Sequence, residues 1–257
     1  MIAGLLLACS ALESQATVDF YDNFSYPDGN LTNGVNWFQT AAAANPVQVS
    51  GGAVVLGTSG QDVYSPLTTP LNFTDGQTFY IGATVDITAA QATGDYFLHW
   101  SNPVGTTSIF QERLYAKSVI GGFVFGYDGS SGTPLYSASV LSLNTTYRIV
   151  LAYTAVVGAT NDTLSLYVNP TDLSAEANNT PYYTSGYVST SNETNIVAAI
   201  NLRQGTAANA PSVILDNLTV GTLFSDAAPV APAPEPSTVA LAAMGGAACL
   251  AAFRRKR

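Results

Sequence analysis

The sequence predicts a single all-β sandwich over residues 17–226. Three observations carry this. Apolar residues recur at every second position in one short segment after another. Gly, Asn, Asp and Pro separate those segments. No stretch between the two apolar termini repeats at the i, i+3, i+4 spacing of an amphipathic helix. Roughly 210 residues holding about twelve such segments is a length that one β domain commonly fills. The absence of a fixed internal period argues against a propeller or a β-helix.

Taken in order, the segments are as follows. The body opens with DNFSYPDGNL and then VQVSGGAVVLG, read as one strand segment. In FYIGATVDIT, residues 79–88, Phe79, Ile81, Ala83, Val85 and Ile87 line one face. DYFLHW places Phe97 and His99 on one face and Leu98 and Trp100 on the other, and GGFVFGY follows. In TYRIVLAY the set is Tyr147, Ile149, Leu151 and Tyr153; Leu164, Leu166 and Val168 continue it after a turn at Asn161-Asp162. NIVAAINLRQG and SVILDNLTV close the body. In the last of these, Ile214, Leu218 and Val220 share the face of Asp216. If that face is the core, a carboxylate is buried there and needs a partner. Residues 227–236 begin an Ala/Pro linker.

Charge excludes one class of partner. Of the eight Lys and Arg residues, four are the terminal Arg254, Arg255, Lys256 and Arg257. The body keeps Arg113, Lys117, Arg148 and Arg203 against fifteen acidic residues, a net charge of −11. Such a body repels phosphate backbones, so no nucleic acid is expected as a partner. The two cysteines, Cys9 and Cys249, both lie in the terminal apolar runs, and His99 is the one histidine. The body therefore has no internal disulfide and no zinc site of nitrogen and sulfur ligands.

The termini read as processing segments. Residues 1–16 hold an apolar stretch from Ile2 to Leu12 and then Ser14-Gln15-Ala16, which predicts a signal peptide cut between Ala16 and Thr17. An alternative is a lipoprotein held at Cys9 in Leu6-Leu7-Ala8-Cys9. At the other end, Ser237 to Phe253 is a charge-free run of 17 residues. At about 1.5 Å per residue it reaches the lower limit of a transmembrane helix, over residues 237–257 with the four cations on its inner side. The ordered set Pro234-Glu235-Pro236, apolar run, Arg254-Arg255-Lys256-Arg257 resembles the PEP-CTERM sorting signal. That resemblance implies recognition by an exosortase-type protease, passage through the membrane, and a link to exopolysaccharide export. An ice-binding label attached to some such tails has no counterpart here, for the body lacks a regular Thr-x-Thr ladder.

DNFSYPDGNL, the pair LSLNTTYRIVLAY and NDTLSLYVNP, and the closing VILDNLTVGTLF resemble concanavalin A-like (laminin-G-like) jelly rolls. The resemblance implies two curved antiparallel sheets with the first and last strands adjacent. It also implies structural calcium at terminal-strand aspartates, here Asp216 joined by Asp22 or Asp28; no other cofactor is expected. Glucan-cutting enzymes of this fold place two carboxylates in Glu-x-Asp-x-x-Glu, which aims both at one glycosidic bond. This sequence has no two acids two residues apart, the nearest pairs being Asp19 with Asp22 and Asp172 with Glu176, and no G-x-S-x-G. The expectation is a non-enzyme of the cell envelope or extracellular matrix that binds polysaccharide, with a carbohydrate-active enzyme as the alternative. Tyr182, Tyr183 and Tyr187, in one loop, are the candidate glycan contacts, set against a role covering the core edge.

Overall fold

In the computed structural model, which describes residues 18–34, 36–41, 44–106, 110–129, 133–156, 158, 161–186 and 196–227, the alternating segments become sixteen strands. They are β1 Val18–Asp22, β2 Gly29–Asn30, β3 Phe38–Ala41, β4 Gln48–Ser50, β5 Ala53–Leu56, β6 Asp62–Asn72, β7 Thr78–Ala89, β8 Asp95–Ser101, β9 Phe110–Val119, β10 Gly122–Asp128, β11 Leu135–Tyr136, β12 Thr146–Thr154, β13 Thr163–Val168, β14 Tyr183–Gly186, β15 Ile196–Leu202 and β16 Ser212–Gly221. They form two antiparallel sheets. One has nine strands in the order β14-β13-β12-β7-β16-β5-β4-β2, with β1 added on β16; the other has seven, β11-β10-β9-β8-β15-β6-β3. The first and last strands pair, as the resemblance implies. The signal peptide, the linker from residue 228, the sorting tail with its expected transmembrane helix, and Tyr187 lie outside the described residues. No helix among the described residues is long and apolar enough to cross a membrane.

The core lies between the sheets and is built from the alternating sets. Phe79, Ile81, Ala83, Val85 and Ile87 of β7 and Tyr147, Ile149, Leu151 and Tyr153 of β12 all join it. Trp100 of the seven-stranded sheet meets Phe79 edge-on at 4.6 Å and Tyr153 at 5.1 Å, tying the layers together. Such edge-to-face pairs add about 0.5–1.5 kcal/mol each beyond area burial.

Four local features depart from strict alternation. VQVSGGAVVLG is two strands, because Gly51 (φ +62°) and Gly52 (φ +80°) turn the chain between β4 and β5. Consecutive left-handed residues match the twist of a tight hairpin, and glycine adopts them without steric cost. In β8, register shifts on both sides of Leu98 put Phe97, Leu98 and Trp100 all in the core. Phe97 therefore does not share the face of His99. In β16, Asn217 (φ +52°) forms a bulge, and the buried set changes from Val213 and Leu215 to Leu218 and Val220. Asp216 is consequently half-buried on the outer side with Ile214, which is 39% exposed, and is not a core carboxylate. Finally, β6 runs between β15 and β3 despite Pro66 and Pro70. The ladder skips from Val197↔Leu71 to Ala199↔Pro66, so the segment around Pro70 is excused from pairing.

The outer face of the nine-stranded sheet is covered at β7, β12 and β13. Tyr80, Val150, Ala152 and Tyr167 form a second cluster with Phe224 and Ala227 of the C-terminal 3-10 turn, and Glu176 accepts both tyrosine hydroxyls at 2.8 Å. The folded body thus includes Ala227, 1% exposed, one residue beyond the compositional boundary.

Candidate functional site

The outer face of the seven-stranded sheet is different in kind. Register aligns Phe38 of β3, Tyr64 of β6, Asn201 of β15 and His99 of β8 as directly opposed residues in one row. Opposed residues on neighbouring strands share a face, so this row crosses four strands on the side away from the core. Its exposure falls inward: Phe38 is 46% exposed, Tyr64 half-buried, Asn201 2% and His99 3% exposed. The rings of Phe38 and Tyr64 lie 5.6 Å apart and only 31° from parallel, forming an aromatic platform at the sheet edge. Gly105 closes against Tyr64, where a Cβ would stand 3.2 Å from its hydroxyl.

Polar groups fill the centre. Asn201 Nδ2 donates to Ser101 Oγ at 3.0 Å, while the enclosed Asn201 Oδ1 has no donor among the described residues. A buried acceptor of this kind is normally met by water or a ligand. His99 packs edge-on against Tyr96 at 5.4 Å, and its Nδ1 lies 3.2 Å from the Trp100 carbonyl. Burial drives its pKa down to about 3, so the ring is neutral at physiological pH.

Beyond His99 stands a cation and tyrosine stack. The Arg203 guanidinium lies 4.1 Å from the Tyr96 ring centroid, Arg113 5.3 Å from the same ring, and the Lys117 ammonium 4.9 Å from Tyr136. Each cation has an electrostatic reason to hold its ring, since the π face is negative. Arg113 pairs with Asp128 at 2.6 Å, and Arg203 pairs with Asp95 at 2.8 Å and reaches Asp62 at 3.8 Å. Burial raises the Tyr115 hydroxyl well above its usual range and brings Tyr136 to about 12. Three of the body's four cations therefore gather on this face and are matched there by three aspartates. On a body of net charge −11 it is a near-neutral patch lined with aromatic rings and paired charges.

The residues singled out from sequence fall elsewhere. Tyr182 and Tyr183 are partly buried against the core; Tyr182 meets Phe125 edge-on and donates to the Ser139 carbonyl, and Tyr183 begins β14 instead of sitting in a loop. Asp22 is 8% exposed and takes Trp37 Nε1 and the Tyr26 hydroxyl on Oδ2, both at 2.7 Å, and the Phe24 amide on Oδ1 at 2.8 Å. Asp216 holds its neighbour Asn217 through both oxygens. Asp28 accepts the Gly51 amide at 2.8 Å. No group of three or more His, Cys, Asp or Glu residues that could hold a metal occurs among the described residues. What sequence reading misses is the row itself. Its one legible sign is that Phe38 and Tyr64 are aromatic at positions opposite in phase to buried neighbours.

Residues 232–256 match the family described as the PEP-CTERM protein-sorting motif. No curated protein matches the chain. Among solved structures, the body is similar to the CBM2 module of the evolved Dit protein of Lactobacillus casei BL23 phage J-1, at 9% identity over 81% of this chain and 96% of that one, TM-score 0.51. It is also similar to an endo-1,3-beta-glucanase from Streptomyces sioyaensis (13% identity, 83% and 98% covered, TM-score 0.49) and to the Emp47p carbohydrate recognition domain (12%, 82% and 99%, 0.48). At these identities the likeness is one of fold. The chain is thus an export-sorted protein with a PEP-CTERM tail on an all-β sandwich.

Proposed function

We propose that the body is a non-enzymatic polysaccharide-binding sandwich, and that the platform of Phe38 and Tyr64 is where a sugar ring stacks. The observation that carries this is the single row Phe38–Tyr64–Asn201–His99, graded from an exposed and a half-buried aromatic ring to buried hydrogen-bonding groups. Recognition sites for neutral, hydroxyl-rich ligands need flat apolar surface beside a few fixed donors and acceptors. The paired charges supply fixed polar groups without repelling a neutral polymer. In this reading the tail delivers the chain to an exosortase-type protease, which cuts near Pro234-Glu235-Pro236 and leaves the body at the cell surface or in the extracellular matrix.

The test is affinity electrophoresis of the full chain, in detergent, through gels carrying neutral or acidic polysaccharides, with reducing-sugar release measured in parallel. Retardation by a polysaccharide, reduced at least ten-fold in Tyr64→Ala and Phe38→Ala and unaccompanied by sugar release, is the expected result. Sugar release at a steady rate makes the protein an enzyme. Retardation unchanged in both variants places the contact elsewhere.

A further inference from the structure

The loops at one end of the sandwich lack acids, and an apolar turn projects from them. We propose that this end is a membrane-contact surface, and that the β9–β10 hairpin seats Ile120 in the headgroup layer of a lipid bilayer while the tail still spans it. The proposal rests on the tail's passage through the membrane before cutting, and adds which part of the body faces the bilayer.

Backbone hydrogen bonds and register gather this end. Ser118, beside the hairpin turn, donates to the Gln91 carbonyl just past β7 at 2.9 Å, Asn144 donates to the Ile87 carbonyl at 3.1 Å, and Phe123 to the Leu141 carbonyl at 2.9 Å. Ser212, where β16 begins, pairs with Ala89, where β7 ends. In the connection leading into β16, Gln204 Oε1 accepts the Gly57 amide at 2.6 Å. Segments 57–61, 90–94, 120–121, 137–145 and 204–211 therefore lie together. None of them contains Asp or Glu, in a body that has fifteen acidic residues. So acidic a body is repelled by an anionic leaflet, and this end is the one that can approach it.

The hairpin presents an apolar group that its turn does not require. Val119 pairs with Gly122, which leaves Ile120 and Gly121 as a two-residue turn. Gly121 (φ +90°) supplies the left-handed position, and Ile120 stands where Gly, Pro, Asn, Asp and Ser are usual. Ile120 is nonetheless fully exposed. Val140, 50% exposed, stands beside the turn: its Cγ1 would lie 3.3 Å from a Cβ on Gly122. Burying one such side chain at the acyl boundary favours the bound state roughly 10–100-fold.

The root of the tail points the same way. Phe224 packs on Tyr80 and Ala227 lies over Gly82, so the chain leaves the body travelling toward the Ala89 end of β7. From Gly82 to Ala89 about 23 Å of strand remains, at 3.3 Å per residue. Residues 228–236, with four prolines, span about 28 Å when extended at 3.1 Å per residue. Ser237, where the apolar run begins, can therefore pass that end by only a few ångströms, which holds Ile120 against the bilayer.

The test uses the full chain in phosphatidylcholine vesicles, plain or brominated on the upper acyl chain. Ile120→Trp and Thr163→Trp are read against the wild-type signal of Trp37 and Trp100, both buried. Thr163 is exposed at the far end, opposite Thr154, which itself pairs with Thr78 at the start of β7. Brominated lipid should roughly halve the added fluorescence at 120 and leave that at 163 unchanged. Equal quenching at both positions, or none at 120 in vesicles that carry the chain on flotation, overturns the proposal and leaves the tail reading standing. Blue-shifted emission at 120 without quenching means that protein, a second copy included, covers the tip, and overturns it as well. A chain that does not float with the vesicles overturns the tail reading and this proposal together.

Discussion

Gly82 sits in the middle of β7 with its missing side chain aimed at the C-terminal turn. A Cβ there would stand 2.2 Å from the Ala227 carbonyl oxygen, 2.7 Å from the Ala227 Cα and 2.7 Å from Thr219 Oγ1. Two of the three atoms are backbone, so Gly82→Ala cannot be accommodated by rotating a side chain. The turn must lift. Lifting it exposes Phe224, 4% exposed in place, which is worth about 1.5–3 kcal/mol of burial. It also breaks the edge contacts of Phe224 with Tyr80 at 5.6 Å and Tyr167 at 5.2 Å, each worth about 0.5–1.5 kcal/mol. These contributions overlap and the turn can partly re-seat, so the expected loss is about 3 kcal/mol, or roughly 6–12 °C in midpoint for a domain of this size. The assay is urea unfolding of wild type, Gly82→Ala, Phe224→Ala and the double variant. If the alanine works by displacing the turn, Phe224→Ala costs little more once Gly82→Ala is present. A loss under about 0.5 kcal/mol for Gly82→Ala, or strict additivity in the cycle, would refute the reasoning.

Further outcomes are expected at His99 and in the tail. Because His99 is the one histidine, its ring protons give an unambiguous NMR signal, and with a pKa lowered from 6.5 to about 3 they should not shift between pH 8 and pH 4.5. The same depression means that His99 contributes stability present in full above pH 6.5 and lost as pH falls toward 3; a flat unfolding profile across that window, or a ring titrating near 6.5, would contradict its burial. In the tail, replacing Arg254, Arg255, Lys256 and Arg257 with neutral residues should let it slip through the membrane, since an Arg at the bilayer centre costs about 2.5–3.5 kcal/mol. Glu235→Ala should leave insertion intact and block cutting. Fractionation of a tagged chain with and without an exosortase checks both, and identical size and membrane attachment in the two hosts would make the tail an ordinary anchor.

Much of the fold was legible because a strand's side-chain period is two. Every residue of the alternating sets in β7 and β12 is in the core, since the register between those two strands runs without a shift. The same rule failed at Phe97 and Asp216. A bulge adds a residue to one strand of a pair and reverses the facing of what lies beside it, and the cause is the partner's register. Asn217 is a residue that tolerates φ > 0, but its letter does not say that it uses that freedom here.

The chain's own order of residues determined the sorting tail, the acidity of the body and its all-β character. Each depends on neighbours in sequence: an extended motif followed by an apolar run and cations, a surplus of carboxylates, an alternation within ten residues. Tertiary structure alone decided the candidate site. Phe38, Tyr64, His99 and Asn201 come together because β3, β6, β8 and β15 lie side by side. Strand pairing sets those contacts through backbone hydrogen bonds that every residue except proline can make, so beyond the out-of-phase rings of Phe38 and Tyr64 the aligned side chains leave no mark on the local pattern.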